Sequence, residues 1–127
     1  MTALVLDAGA LIAVEQGNRA MLADLRVAQR HGVALRTPAT VIAQVWRDGD
    51  GRQAALARLL RAVDVRSIDD RLGRDAGVLL GRSGTSDVID ATVVAIAETG
   101  DRILTSDPSD IARLAESAGR RLVVVGC

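Results

Sequence analysis

Ala3-Leu4-Val5-Leu6-Asp7, followed directly by Ala8-Gly9-Ala10-Leu11-Ile12-Ala13-Val14, joins a short unbroken apolar run to an acid and then to a helical pattern. Such a run reads as a strand buried on both faces, whose C-terminal end opens onto a helix. Asp7 stands at that end. In open α/β sheets the carboxyl ends of parallel strands line the crevice where ligands bind, so a carboxylate delivered there is placed for chemistry. The same residue type also caps helices, and both roles are open to Asp7.

Outward from this run, apolar strands and amphipathic helices alternate. Leu11 to Glu15 and Arg19 to His31 read as helical, with Gly32 closing the second and His31 set to meet its last carbonyls rather than to act as a ligand. Val33 to Arg36 reads as a strand, and Thr37-Pro38 as the cap and first residue of a helix carrying Val41, Ile42, Val45 and Trp46. Asp48-Gly49-Asp50-Gly51 breaks that helix. Arg52 to Arg61 reads as a helix with Leu56, Leu59 and Leu60 inward, Val63 to Ile68 as a strand, and Asp69 to Leu80 as a helix. Gly81 to Ser86 reads as a loop, Asp87 to Glu98 as a buried helix, and Arg102 to Thr105 as a strand. Pro108 to Ser117 as a helix and Arg121 to Val125 as a strand complete the chain. This alternation predicts an α/β fold with a mostly parallel sheet covered on both faces.

Composition narrows the function. A chain of 127 residues with 49% hydrophobic content fits one domain, residues 1–127, with a core of Leu, Val, Ile and Ala, since Trp46 is the only aromatic residue. The same scarcity argues against nucleic-acid recognition on aromatic platforms. The net charge is zero and all 16 basic residues are arginine. Without lysine, a P-loop, a Schiff-base enzyme and a phospho-receiver with its usual lysine are excluded. Cys127 is the single cysteine, so no disulfide framework or cysteine metal cluster exists. The first residues lack a basic segment ahead of the apolar run, and no apolar stretch approaches the roughly 20 residues that span a bilayer. A soluble, cytoplasmic protein without membrane contact is expected.

The acids are mostly aspartates and they cluster: Asp7, Asp87 with Asp90, Asp107 with Asp110, and the loop pair Asp48 and Asp50. Asp87 and Asp90 lie three apart in the first turn of a helix that is otherwise apolar, and Asp107 follows a strand as Asp7 does. Each has a local explanation in capping or in the helix macrodipole. Their coincidence calls for more. Carboxylates gathered at one sheet edge repel one another, and burying them is costly unless a cation balances the charge. Ligation by Asp oxygens alone suits Mg²⁺ or Mn²⁺ rather than zinc.

Leu4-Val5-Leu6-Asp7-Ala8, Ser86-Asp87-Val88-Ile89-Asp90-Ala91 and Leu104-Thr105-Ser106-Asp107-Pro108-Ser109-Asp110 resemble the successive acidic motifs of PIN-domain ribonucleases, specifically the VapC toxins of toxin–antitoxin modules. The resemblance spans essentially the whole chain in order and size. It implies a three-layer α/β/α sandwich and a Mg²⁺- or Mn²⁺-dependent endoribonuclease. Asp7, Asp90 and Asp107 would then be metal-binding and catalytic, with Asp87 and Asp110 auxiliary. It further implies an RNA substrate, a cognate antitoxin protein and a homodimer. One departure is visible: the family usually carries a glutamate in the helix after the second strand, where this chain offers Gln44. An amide supplies a weak oxygen ligand and no charge.

Arg47, Arg52 and Arg82 are candidates for gripping an RNA backbone, against ordinary solvated arginines. Trp46 is a candidate antitoxin anchor or a core residue. A regulatory binding domain that lost activity with its glutamate, and a phosphotransfer domain, stand as alternatives from other classes.

Overall fold

In the computed structural model, which describes residues 2–47 and 51–127, Ala3–Leu6 forms the central strand β1, with all four residues buried. Helices α1 (Ala8–Glu15) and α2 (Arg19–Arg30) lead to β2 (Ala34–Pro38), and α3 (Ala39–Val45) and α4 (Ala54–Leu60) lead to β3 (Val63–Arg66). Then come α5 (Asp70–Ser83), α6 (Val88–Ile96), β4 (Arg102–Thr105), α7 (Pro108–Ala118) and β5 (Val123–Gly126). The sheet order is β3-β2-β1-β4-β5 and every pairing is parallel. Helices pack in two groups, α1 with α2, α3 and α4, and α5 with α6 and α7, completing a three-layer α/β/α arrangement.

The chain builds outward from β1 to β3, then returns across the sheet to place β4 on the other flank of β1. The order of strands therefore reverses between β1 and β4, and connections leaving their carboxyl ends diverge. In doubly wound sheets that divergence opens the ligand crevice. Asp7 and Asp107 leave the two strands that flank it.

The core is aliphatic, with Val5, Leu6, Leu11, Leu35, Ile103 and Leu114 among its fully buried side chains. Each contributes on the order of 1.5 to 3 kcal/mol by leaving water. At the amino ends of the strands, buried Asp101 holds the sheet: Oδ1 accepts from the Ala3 amide at 2.8 Å and Oδ2 from the Glu98 amide at 2.8 Å. The Arg36 guanidinium stands 4.0 Å away.

Local signals were overridden at three places. Thr37 and Pro38 extend β2 instead of starting a helix, because the Thr37 hydroxyl donates to the Leu6 carbonyl at 2.7 Å and ties β2 to β1. Gly81, Arg82 and Ser83 are the last turn of α5, not a loop; the helix ends one residue later on Gly84, at a φ of 69° that glycine adopts without penalty. Trp46 is 37% exposed and is not a core residue. At the far edge, β5 is less covered than an apolar run suggests, with Val123 and Val125 both exposed. His31 behaves as expected, its Nδ1 lying 2.8 Å from the Val27 carbonyl. Asp48 and Asp50 lie outside the described residues.

Gly9 is where α1 passes the turn after β4. A Cβ on it would lie 2.8 Å from both Cβ and Oγ of Ser106. Gly9→Ala should destabilise the protein by about 1 to 3 kcal/mol in urea unfolding, and Ser106→Gly in the same chain should recover most of the loss. An unchanged midpoint for Gly9→Ala would show that the two segments do not meet this closely.

Candidate metal centre

The starts of three helices deliver carboxylates to the crevice. Asp7 caps α1 and is 5% exposed; Oδ1 accepts from the Ala8 amide at 2.8 Å and Oδ2 from the Thr105 hydroxyl at 2.7 Å. Of the two roles open to it in sequence, the cap is filled, and the side chain stands at the carboxyl end of β1. The Thr105 oxygen also accepts from the Asp107 amide at 3.0 Å. A single hydroxyl therefore spaces the first acid from the third.

Asp90 comes from α6. Asp87 is the N-cap of that helix, its Oδ1 accepting from the Asp90 amide at 3.0 Å, while Asp87 itself is exposed. From Asp90 through Ile96 every residue of α6 is buried, so Asp90 is drawn under cover with them and is 6% exposed. The helix is held by hydroxyls. Thr92 spends its only proton on the Ile89 carbonyl at 2.7 Å, so Thr40 of α3 must be the donor in the 2.6 Å bond between Thr40 and Thr92. The other end of α6 is closed by Arg120, whose Nη1 reaches the Ala97 carbonyl at 2.7 Å and the Ala95 carbonyl at 3.1 Å.

Asp107, the N-cap residue of α7, and Asp110 in its first turn complete the group. Oxygens of Asp90, Asp107 and Asp110 all lie within 4.8 Å of one another. Asp7 lies outside that triangle but close enough for its charge to act on Asp90 and Asp107. Beside the triangle, a cavity of about 390 Å³ is lined by Gly84, Thr85, Ser86, Asp87, Asp90, Asp110, Arg113 and Leu114. Gln44 is exposed and does not line it. It sits one turn beyond Thr40, on the side of α3 that meets α6. Arg47 folds onto its own helix end, donating to the carbonyls of Ala43 and Trp46, and Arg52 and Arg82 are exposed.

The electrostatics are those of acids crowded together with no salt bridge among the described residues to balance them. Burial, and then the charges of Asp7, Asp87, Asp107 and Asp110, push the Asp90 carboxyl up from 3.8 to about 7. Asp107 is also raised, by desolvation first and then by neighbouring Asp110 and Asp7. Among the described residues, Asp90 Oδ2 is a buried side-chain oxygen with no hydrogen-bond partner. A buried acceptor left unmatched costs about 1 to 3 kcal/mol. The donor set is entirely oxygen, and it has one oxygen to spare. Both properties fit a hard divalent cation, which would be held by Asp90 with Asp107 and Asp110, with Asp7 adding charge from the first strand.

Thr105, Thr40, Thr92 and Arg113 were not apparent as site residues in the sequence. Thr105 looks there like any β-branched strand residue, and Arg113 like one more arginine on a polar helix face.

No family model matches the sequence, and no curated protein matches it significantly. Solved structures do share its fold. A chain of the VapBC2 complex from Rickettsia felis, bound to a DNA fragment from their promoter, superposes with a TM-score of 0.74 at 12% identity, covering 99% of both chains. A chain of DNA-bound VapBC from Salmonella typhimurium gives 0.69 at 14% identity over 98% of both. A chain of FitAB bound to an IR36 DNA fragment gives 0.65 at 14% identity, over 97% of this chain and 94% of that one. At such identities the likeness is one of fold, and the fold is PIN-like.

The raised Asp90 makes stability depend on pH with a definite sign. Between pH 3.8 and about 7 the folded protein keeps a proton on Asp90 that the unfolded chain has released, so stability falls as pH rises through that window. This group accounts for at most on the order of 4 kcal/mol. In EDTA the melting temperature should drop from pH 5 to pH 8, and Mg²⁺ or Mn²⁺ should restore it at pH 8. Asp90→Asn should flatten the pH slope; a slope as steep as that of the wild type would mean that other groups set it.

Proposed function

We propose that this chain is a metal-dependent endoribonuclease, the toxin of a toxin–antitoxin module, with residues 1–127 acting as one PIN-like domain. The observation that carries this reading is the buried, unpartnered Oδ2 of Asp90 within a group of carboxylates at the switch point of a parallel sheet. The fold shared with chains of VapBC and FitAB complexes supports it.

In this reading Asp7, Asp90 and Asp107 are the catalytic acids: Asp90 and Asp107 hold the cation together with Asp110, Asp7 adds its charge from the end of β1, and Asp87 and Gln44 are auxiliary. When bound, Mg²⁺ or Mn²⁺ supplies Lewis-acid activation of water and neutralises charge on the scissile phosphate. The residues of the chain do the rest. Thr105 fixes the Asp7 carboxylate against the start of α7. Asp87 caps α6 and so sets the depth of Asp90. The positive end of that helix dipole favours ionised Asp90 as the cation arrives. The proton that leaves Asp90 makes cation binding tighten as pH rises.

The partners follow from the same reading: an RNA substrate in the cytoplasm, a cognate antitoxin, and a second copy of the chain as homodimer. Among the described residues no helix is long and apolar enough to cross a membrane. Exposed Trp46 suits an antitoxin contact, since a large apolar ring in water is a ready anchor. Gln44 favours one alternative, a PIN-like regulatory or binding domain with weakened catalysis.

Incubating RNA with the protein in Mg²⁺ and in EDTA separates these readings, with cleavage expected only in Mg²⁺. Asp90→Asn should lose at least 100-fold in rate while melting cooperatively; full activity in that variant would remove Asp90 from the site. Gln44→Glu adds a charge that is worth roughly 1 to 2 kcal/mol after desolvation, on the order of tenfold in Mn²⁺ affinity by calorimetry. Equal affinities would mean that position 44 does not face the cation.

A further inference from the structure

The cavity beside the carboxylates has one cation-bearing wall. Asp87, Asp90 and Asp110 line it together with Arg113, the only basic residue among its lining groups. Arg113 lies three residues after Asp110 on α7, so both project from neighbouring turns of one helix face. Its guanidinium is solvent-exposed and makes no salt bridge among the described residues, although acids share the cavity with it. Arg74, by contrast, pairs with Asp70 across a single turn at 3.0 Å. Asp90, whose Oδ2 has no partner, lines the same cavity and is more than nine-tenths buried.

We propose that this cavity seats the nucleotide adjoining the scissile phosphate of a single-stranded RNA, and that Arg113 grips the phosphate of that nucleotide. The proposal rests on the endoribonuclease reading above. Its volume of about 390 Å³ suits one nucleotide, and beside the acids its lining includes the small residues Gly84, Thr85 and Ser86. A phosphodiester entering a pocket of carboxylates needs a positive group besides the cation, and a planar guanidinium meets phosphate oxygens two at a time. With no aromatic side chain in the lining, the base is not stacked. Recognition falls on the sugar-phosphate backbone, and base preference at this position should be slight.

Steady-state cleavage of a short single-stranded RNA by wild type, Arg113→Ala and Arg113→Lys tests this, alongside Mn²⁺ titration calorimetry of the same proteins. Arg113→Ala should raise KM about tenfold or more with a smaller change in kcat, and Arg113→Lys should recover part of it. The slope of log KM against log salt should become shallower by about 0.7, the value of one phosphate contact on a single strand. Mn²⁺ affinity should be unchanged or slightly higher, because a positive charge near the acids has been removed. An unchanged KM in an active protein overturns the proposal alone. A parallel fall in Mn²⁺ affinity also overturns it, since Arg113 would then act by holding the carboxylates. A wild-type protein that binds Mn²⁺ yet cleaves no RNA overturns the endoribonuclease reading, and this inference with it.

Discussion

One hydroxyl sets the spacing on which the crevice depends. Thr105 donates to Asp7 and accepts from the amide of Asp107, so the acids at the ends of the two central strands are held apart yet within Coulombic reach. Removing that hydroxyl would leave a buried carboxylate oxygen short of a donor, at a cost of the same order as any unmet buried polar group. The hydrophobic cluster behind it is aliphatic and offers a carboxylate no donor. All the acid must therefore be met at the edge, by amides, by this hydroxyl, or by a cation. Asp7 and Asp87 find amide donors; Asp90 keeps one oxygen without any.

The lack of lysine sharpens this arrangement. An ammonium is a compact, mobile charge that could settle among the carboxylates and satisfy them internally. The chain offers only arginines, and those near the centre are otherwise placed: Arg47 on its own helix end, Arg120 on the far end of α6, Arg113 on the cavity wall. The acids are thus left crowded, and burial with their mutual repulsion raises the carboxyls of Asp90 and Asp107 above the usual range. Such crowding at a site is compatible with a stable fold because the aliphatic sheet and the buried α6 hold the positions of the acids regardless.

Much of this was legible in the chain because the central elements announce themselves by unbroken apolar runs. β1, β4 and α6 fall within a residue or two of where Ala3-Leu4-Val5-Leu6, Arg102-Ile103-Leu104-Thr105 and Ala91 to Ala97 place them, and the acids beside them follow. What was misread depends on distant partners. Thr37-Pro38 has the local grammar of a helix start, but strand pairing and the Leu6 carbonyl outbid it. Gly81-Arg82-Ser83 has loop composition, yet α5 carries it against α6. Asp101, 2% exposed and central to the sheet's other edge, gave no sign, since an acid ahead of a strand is ordinary until its two amide donors are known. Neither is the grouping of Asp110 with Asp90 and Asp107 visible in one dimension.

The two hydrogen bonds that pin β1 at its ends, Ala3 to Asp101 and Thr105 to Asp7, each join residues 98 apart in sequence. A chain made from its amino end therefore holds Asp7 ready long before the residues that complete the crevice exist. Until β4 and the first turn of α7 have left the ribosome, the nascent polypeptide has no assembled acidic group. Closing so large a loop also favours slow, late docking of β4 against β1. Vectorial synthesis thus gives this fold a built-in delay: whatever the crevice does, it does only as the last strands arrive.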